Sequence, residues 1–187
     1  MKIQLNRAFR GMQGTLDDVT YKRFEDQTIS VPKPKPFTGP PTAAQVRVRE
    51  RFTEAASYAT AVMRDPVRLP VYAAAAKAIG RQSVFPVIMG DFLNLPEVKE
   101  IDLVGYNGRV GDAIKIKAVD DFEVVSVKVT IRNAAGATLE QGLATKGDTR
   151  WIYLAQSVAP TDQTLTIEAE ASDRPGNQRA LSETWHA

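Results

Sequence analysis

Beyond residue 97 the apolar residues alternate with polar ones. Ile114-Lys-Ile116, Val125-Ser-Val-Lys-Val-Thr-Ile131 and Leu165-Thr-Ile167 all keep a period of two, as in a strand with one buried face. Turn signals separate the runs: Asn107-Gly108, Gly111-Asp112, Asn133-Ala-Ala-Gly136, Lys146-Gly-Asp148 and Arg174-Pro-Gly-Asn177. The spacing predicts seven strands, near 98–104, 112–119, 123–132, 138–145, 150–156, 163–171 and 178–185. Short strands with regularly spaced turns predict an Ig-like antiparallel β-sandwich. Trp151 and the inward Val and Ile positions are its expected core.

Between residues 42 and 96 the period lengthens. Thr42-Ala-Ala-Gln45 is a capping box, whose Thr hydroxyl and Gln side chain can satisfy each other's backbone N–H groups. Val48, Phe52, Ala55, Ala56, Ala59, Val62 and Met63 follow the helical repeat and predict one apolar face with Phe52 in the core. Asp65-Pro66 interrupts the helix. Pro70 places the start of a second helix near residue 70, and Gly80 ends it. Ser83 is the expected cap of a third helix, with Pro86 in its first turn and Pro96 closing the segment.

The first forty residues differ again. Ile3, Leu5 and Phe9 share one parity, which suits a strand, and Gly11 and Gly14 then break the chain. Val19-Thr-Tyr-Lys-Arg-Phe24 and Thr28-Ile-Ser-Val31, separated by Glu25-Asp26-Gln27, predict a hairpin. Pro32-Lys-Pro-Lys-Pro-Phe-Thr-Gly-Pro-Pro41 follows and favours an extended, stiff linker. The chain is thus expected to be α+β. An N-terminal β-hairpin arm with a Pro-rich linker spans 1–41, a short helical domain spans 42–96, and the Ig-like sandwich spans 97–187.

The N-terminal pattern resembles a group of uncharacterised bacterial proteins that share a Gly-containing start, a hairpin, a basic Pro-rich segment and a helix patterned Gln-x-x-x-Arg-x-x-Phe-x-x-Ala. Here Gln45, Arg49, Phe52 and Ala55 carry that pattern, followed by Tyr58 and Ala59. The C-terminal half is similar to bacterial Ig-like modules through Gly111-Asp112, Asp120-Asp121 and Ala171-Ser-Asp-Arg-Pro-Gly-Asn177. The resemblance implies the fold and supplies no catalytic residues.

Composition narrows the chemistry. There is no cysteine, and the one histidine, His186, is next to last. Thiolate nucleophiles, disulfides and Cys-ligated zinc are excluded. A base expected to fray at the terminus is poorly placed to serve a Ser-His-Asp site. No phosphate-binding glycine motif occurs. The chain is therefore expected to be non-enzymatic, with no cofactor. Asp120, Asp121 and Asp173 would offer calcium-type ligands if their loops met. The preferred reading makes them acceptors of backbone hydrogen bonds in turns, so no metal is expected.

Charge is uneven. Residues 1–95 carry 14 Lys/Arg against 8 Asp/Glu, and residues 96–187 carry 10 against 14, giving +6 and −4. Such halves can attract each other between copies of the chain. A hairpin is marginal alone, a sandwich exposes edge strands, and the stiff linker puts other subunits within the arm's reach. The leading expectation is therefore self-assembly into a filament or larger particle. Ile3, Leu5, Phe9, Val19, Tyr21, Phe24, Ile29 and Val31 are its subunit-contact residues, and other copies of the chain its partners. The alternative is nucleic-acid binding through Lys22, Arg23, Lys33, Lys35, Arg47 and Arg51. An adhesive or carbohydrate-binding module would instead show exposed aromatics on one sheet face. No run is long and apolar enough for a membrane span. The absence of a classical signal peptide suggests a cytoplasmic protein, or an assembly exported by a non-classical route.

Overall fold

The computed structural model describes residues 13–24, 27–33, 35, 39–161 and 163–186. The strand expected at Ile3, Leu5 and Phe9 lies outside them. The chain forms two compact units, Met1–Thr42 and Ala43–Ala187.

In the first unit β1 (Gly14–Leu16), β2 (Val19–Phe24) and β3 (Gln27–Pro32) form an antiparallel sheet in that order. The predicted hairpin is β2–β3, with Val19 opposite Pro32 and Phe24 opposite Gln27. Strand β1 stands where the sequence predicts only a break at Gly14, whose φ of +123° starts the strand. The β1–β2 turn has two residues, with Asp17 at φ +49°. Asp tolerates that left-handed conformation better than most side chains.

The second unit combines three helices with eight strands. Helix α1 (Ala43–Met63) begins directly after Thr42, where the capping box placed it. Helix α2 spans Arg68–Ala78, starting two residues before the expected position. Asp65 makes the earlier start possible: its Oδ1 accepts from the Val67 and Arg68 amides at 2.8 and 3.0 Å, and its Oδ2 from Arg68 Nε at 2.6 Å. These bonds hold the Asp65 carboxyl down at about 2, the Arg68 amide contributing most. Helix α3 (Phe85–Leu93) follows Val84, not Ser83, and carries Pro86 in its first turn. No helix among the described residues is long and apolar enough to cross a membrane, which says nothing about spans made of strands.

The apolar stripe of α1 is only half covered. Ala55, Ala59 and Val62 are fully buried and cluster with Tyr72, Ile88 and Met89. Val48 and Phe52 continue the same stripe yet are 70% and 56% exposed. Phe52 is therefore not a core residue. Twenty-one residues of α1 make a rod of about 31 Å, whereas the nine of α3 reach about 14 Å. Arg51 marks the limit of cover, since its guanidinium donates to the Phe92 and Leu93 carbonyls at 3.3 and 3.5 Å, at the end of α3.

The strands are β4 (Glu97–Asp102), β5 (Ala113–Val119), β6 (Val124–Arg132), β7 (Thr138–Leu143), β8 (Thr145–Lys146), β9 (Trp151–Leu154), β10 (Thr164–Asp173) and β11 (Gln178–His186). All seven predicted strands are present, and the two-residue β8 is additional. They form two four-stranded antiparallel sheets, ordered β4-β5-β9-β8 and β11-β10-β6-β7. The molecule is α+β with sandwich-like sheets. Alternate residues turn inward: Ile114 and Ile116 from β5, Val127, Val129 and Ile131 from β6, Trp151 and Tyr153 from β9, and Leu165 and Ile167 from β10. Outward-facing neighbours pair across β6 and β10, as in Lys128–Glu170 at 2.7 Å.

One turn is tightly constrained. Gly108 sits at φ +75°, and a Cβ there would lie 2.8 Å from the Ala159 Cβ and 3.0 Å from the Trp185 ring. Gly136 has a similar φ of +80° and open space around it. Gly136→Ala is expected to cost about 1 kcal/mol for its backbone conformation. Gly108→Ala should cost a further 1–3 kcal/mol or so for the clash. Denaturant melts of the two variants measure the difference, and equal losses would mean that Ala159 and Trp185 give way freely.

Candidate functional site

Asp91 is the lone charged residue between Arg81 and Glu97. It lies on α3 beside the buried Ile88 and Met89, and is itself 1% exposed. A carboxylate with so little access to water needs partners. The Tyr72 hydroxyl of α2 donates to its Oδ2. The Tyr58 and Tyr72 hydroxyls lie 3.3 Å apart, extending the chain to α1. Asp91 Oδ1 is buried and has no protein hydrogen-bond partner.

The β5–β6 turn brings two more acids. Asp120 Oδ2 accepts from the backbone amides of Phe122 and Glu123 at 3.3 and 3.0 Å. Its buried Oδ1 has no protein partner. The more exposed Asp121 accepts at Oδ2 from Asn94 Nδ2 at 2.6 Å. Asp91, Asp120 and Asp121 each bring a carboxylate oxygen within 4.8 Å of the other two. The Phe122 ring stacks on Tyr72 with centroids 4.5 Å apart, which ties the turn to the helices.

The β10–β11 turn closes the site. Asp173 Oδ1 accepts from the Gly176 and Asn177 amides, and its Oδ2 from Asn177 Nδ2 at 2.6 Å. The Asn177 side-chain amide also reaches the Phe92 carbonyl at 3.2 Å and the Asn94 carbonyl at 3.4 Å. Asp173 is thus a turn acceptor with both oxygens engaged.

The electrostatics follow from burial. Loss of water pushes the Asp91 carboxyl up to about 7; the Tyr72 hydrogen bond opposes the rise, and the charges of Asp173, Asp120 and Asp121 add to it. Burial also raises the Asp120 carboxyl against the pull of its backbone amides. The Tyr72 phenol is pushed well up, by burial first and then by its bond to Asp91. Such a cluster can hold a proton or a cation.

From the sequence, Asp120, Asp121 and Asp173 are preferred as turn acceptors, and a shared cluster of the three is only the lesser alternative. A cluster does form, with Asp91 as its third member, while Asp173 stands behind it. Asp120 and Asp121 fall in the turn between the predicted strands 112–119 and 123–132. Asp91 was missed, although an isolated acid in an otherwise apolar helix was the available signal.

The proposed contact residues sit elsewhere. Val19 and Tyr21 share one face of the arm sheet with Leu16, while Ile29 and Val31 lie on the other, opposite Lys22 and Thr20. Phe24 ends β2. Lys22 and Arg23, being adjacent on a strand, point to opposite faces. Lys33, Lys35 and Arg47 are exposed, while Arg51 is engaged at the end of α3. His186, expected to fray, is paired in β11 opposite Thr164, whose Oγ1 lies 3.0 Å from its Nδ1. On the sandwich, Trp151 and Tyr153 turn inward, and Trp185 packs edge-on against Tyr106.

No protein-family model and no curated protein matches the chain. Among solved structures, a conjugative transposon lipoprotein from Bacteroides eggerthii is similar over 50% of this chain and 97% of its own, at 15% identity and a TM-score of 0.25. A likeness that distant carries no argument about fold or function.

Proposed function

We propose that the chain is a non-enzymatic structural subunit that assembles with copies of itself through its N-terminal arm and its β-sandwich. One observation carries the reading. The described arm forms a three-stranded sheet in a unit of its own, and Thr28 is its one buried residue among those described. Leu16, Val19 and Tyr21 lie on one face and Ile29 and Val31 on the other, so folding the sheet builds no core among the described residues. Such a sheet gains stability only by packing on something else. The opposite charges of the two halves favour another copy as that partner. We infer also that the sandwich is Ig-like: its sheet orders correspond to strands A-B-E-D and G-F-C-C′ of that fold. Its short β8 and exposed β7 would be edges for strand addition.

Deleting residues 1–36 is expected to leave the unit from Ala43 onward folded and to abolish higher-order association. Sedimentation of full-length and truncated protein at low and high salt, with and without a mixed oligonucleotide, checks this. Association through apolar burial should change little with salt. A full-length protein that remains monomeric at high concentration would rule out self-assembly. Arm-dependent oligonucleotide binding with steep salt dependence would promote the polyanion reading through Lys22, Arg23, Lys33 and Lys35.

A further inference from the structure

The three carboxylates at the junction of α3 with the β5–β6 turn share a pattern. In each, Oδ2 is held by a protein donor: Tyr72 for Asp91, two backbone amides for Asp120, and Asn94 for Asp121. These bonds fix the orientation of the acids, as outer-shell donors do around bound cations. None of the three acids forms an ion pair among the described residues. A second observation is independent of their clustering. Asp91 is almost wholly buried, and its Oδ1 has no donor; the buried Oδ1 of Asp120 has none either. Buried carboxylate oxygens nearly always have a partner, and two bare ones within a cluster of three acids call for a positive one.

We propose that Asp91, Asp120 and Asp121 bind a hard divalent cation of the calcium class. The donors are all oxygen, and without cysteine the chain has no soft ligand set. The separations of up to 4.8 Å suit two Ca–O bonds of about 2.4 Å on opposite sides of one ion. Asp121 is exposed, which gives the ion an entry path and room for water ligands. The bound cation joins α3 to the sandwich turn and acts as a clamp between helices and strands. The site lies within the Ala43–Ala187 unit and does not depend on self-assembly.

The test uses the full chain, treated with chelator and dialysed. Calcium chloride titrated to millimolar concentration, the range of weak structural sites, is expected to bind at one site per chain and to raise the melting temperature. Terbium should displace calcium and show luminescence sensitised by the tyrosines beside the site. Because Asp121 is exposed, Asp121→Asn should stay folded and lose affinity by about tenfold or more. Asp148→Asn, on the exposed β8–β9 loop and outside the cluster, should bind as the parent does. Absence of both binding heat and melting shift with calcium, magnesium and manganese would overturn the proposal. So would a shift that Asp121→Asn and Asp120→Asn both retain.

Discussion

Trp151→Ala is expected to destabilise the protein by about 3–5 kcal/mol, the usual cost of removing a large buried aromatic ring. Trp151 is 8% exposed and packs among the inward residues of both sheets. The cavity would open between β5 and β9, where Ile116 lies opposite Trp151. Phe52→Ala should cost less than about 1 kcal/mol, because the ring is more than half in water. Denaturant melts of the two single variants measure the contrast. Similar losses for both would place Phe52 in a contact made by another copy of the chain, which dilution of the sample would then reveal.

The second large effect concerns pH in the presence of chelator. Asp91 titrates near 3.8 in the unfolded chain and at about 7 in the folded one. Between those values the folded protein holds a proton that the unfolded chain has released. The contribution is therefore complete below pH 4, falls as pH rises towards 7, and is gone above it. The swing over that window is roughly 4 kcal/mol at about 1.4 kcal/mol per unit. Tyr72, Asp120, Asp121 and Asp173 are the titratable groups around Asp91, and three of them are acids that disfavour its charge. Asp91→Asn cannot ionise, so its stability should be flatter than that of the parent between pH 4 and 8. Parallel melting curves for parent and variant across that range would show that Asp91 stays charged throughout.

The strands were legible because one face of each is buried. Leu165, Ile167, Ala169 and Ala171 point inward along β10 with half-exposed residues between them, and that contrast is written in the local sequence. Helix α1 was legible as a helix but not in the extent of its cover. The stripe from Val48 to Val62 is continuous, whereas its exposure depends on where α3 stops. The arm's hairpin was readable from its β-branched residues, but β1 was hidden by Gly14, which opens a strand where only a break was expected. The acidic junction was half legible. Asp120 and Asp121 stood out as a pair in a turn, but their approach to Asp91 depends on how the helices dock on the β5–β6 and β10–β11 turns. Local periodicity carries no record of that docking.

The side chain of Asn177 bears on chemical ageing. Its amide donates to the Phe92 carbonyl, which Arg51 also reaches, and to the Asn94 carbonyl and Asp173 Oδ2. Loss of ammonia from that amide, the slow hydrolysis to which asparagine is prone, would put an acceptor among acceptors and add a negative charge beside a buried acid. One spontaneous covalent event of that kind would loosen the grip of the β10–β11 turn on α3 without any change in the gene. The working lifetime of the folded molecule is thus linked to how well a single turn shields one carboxamide from water.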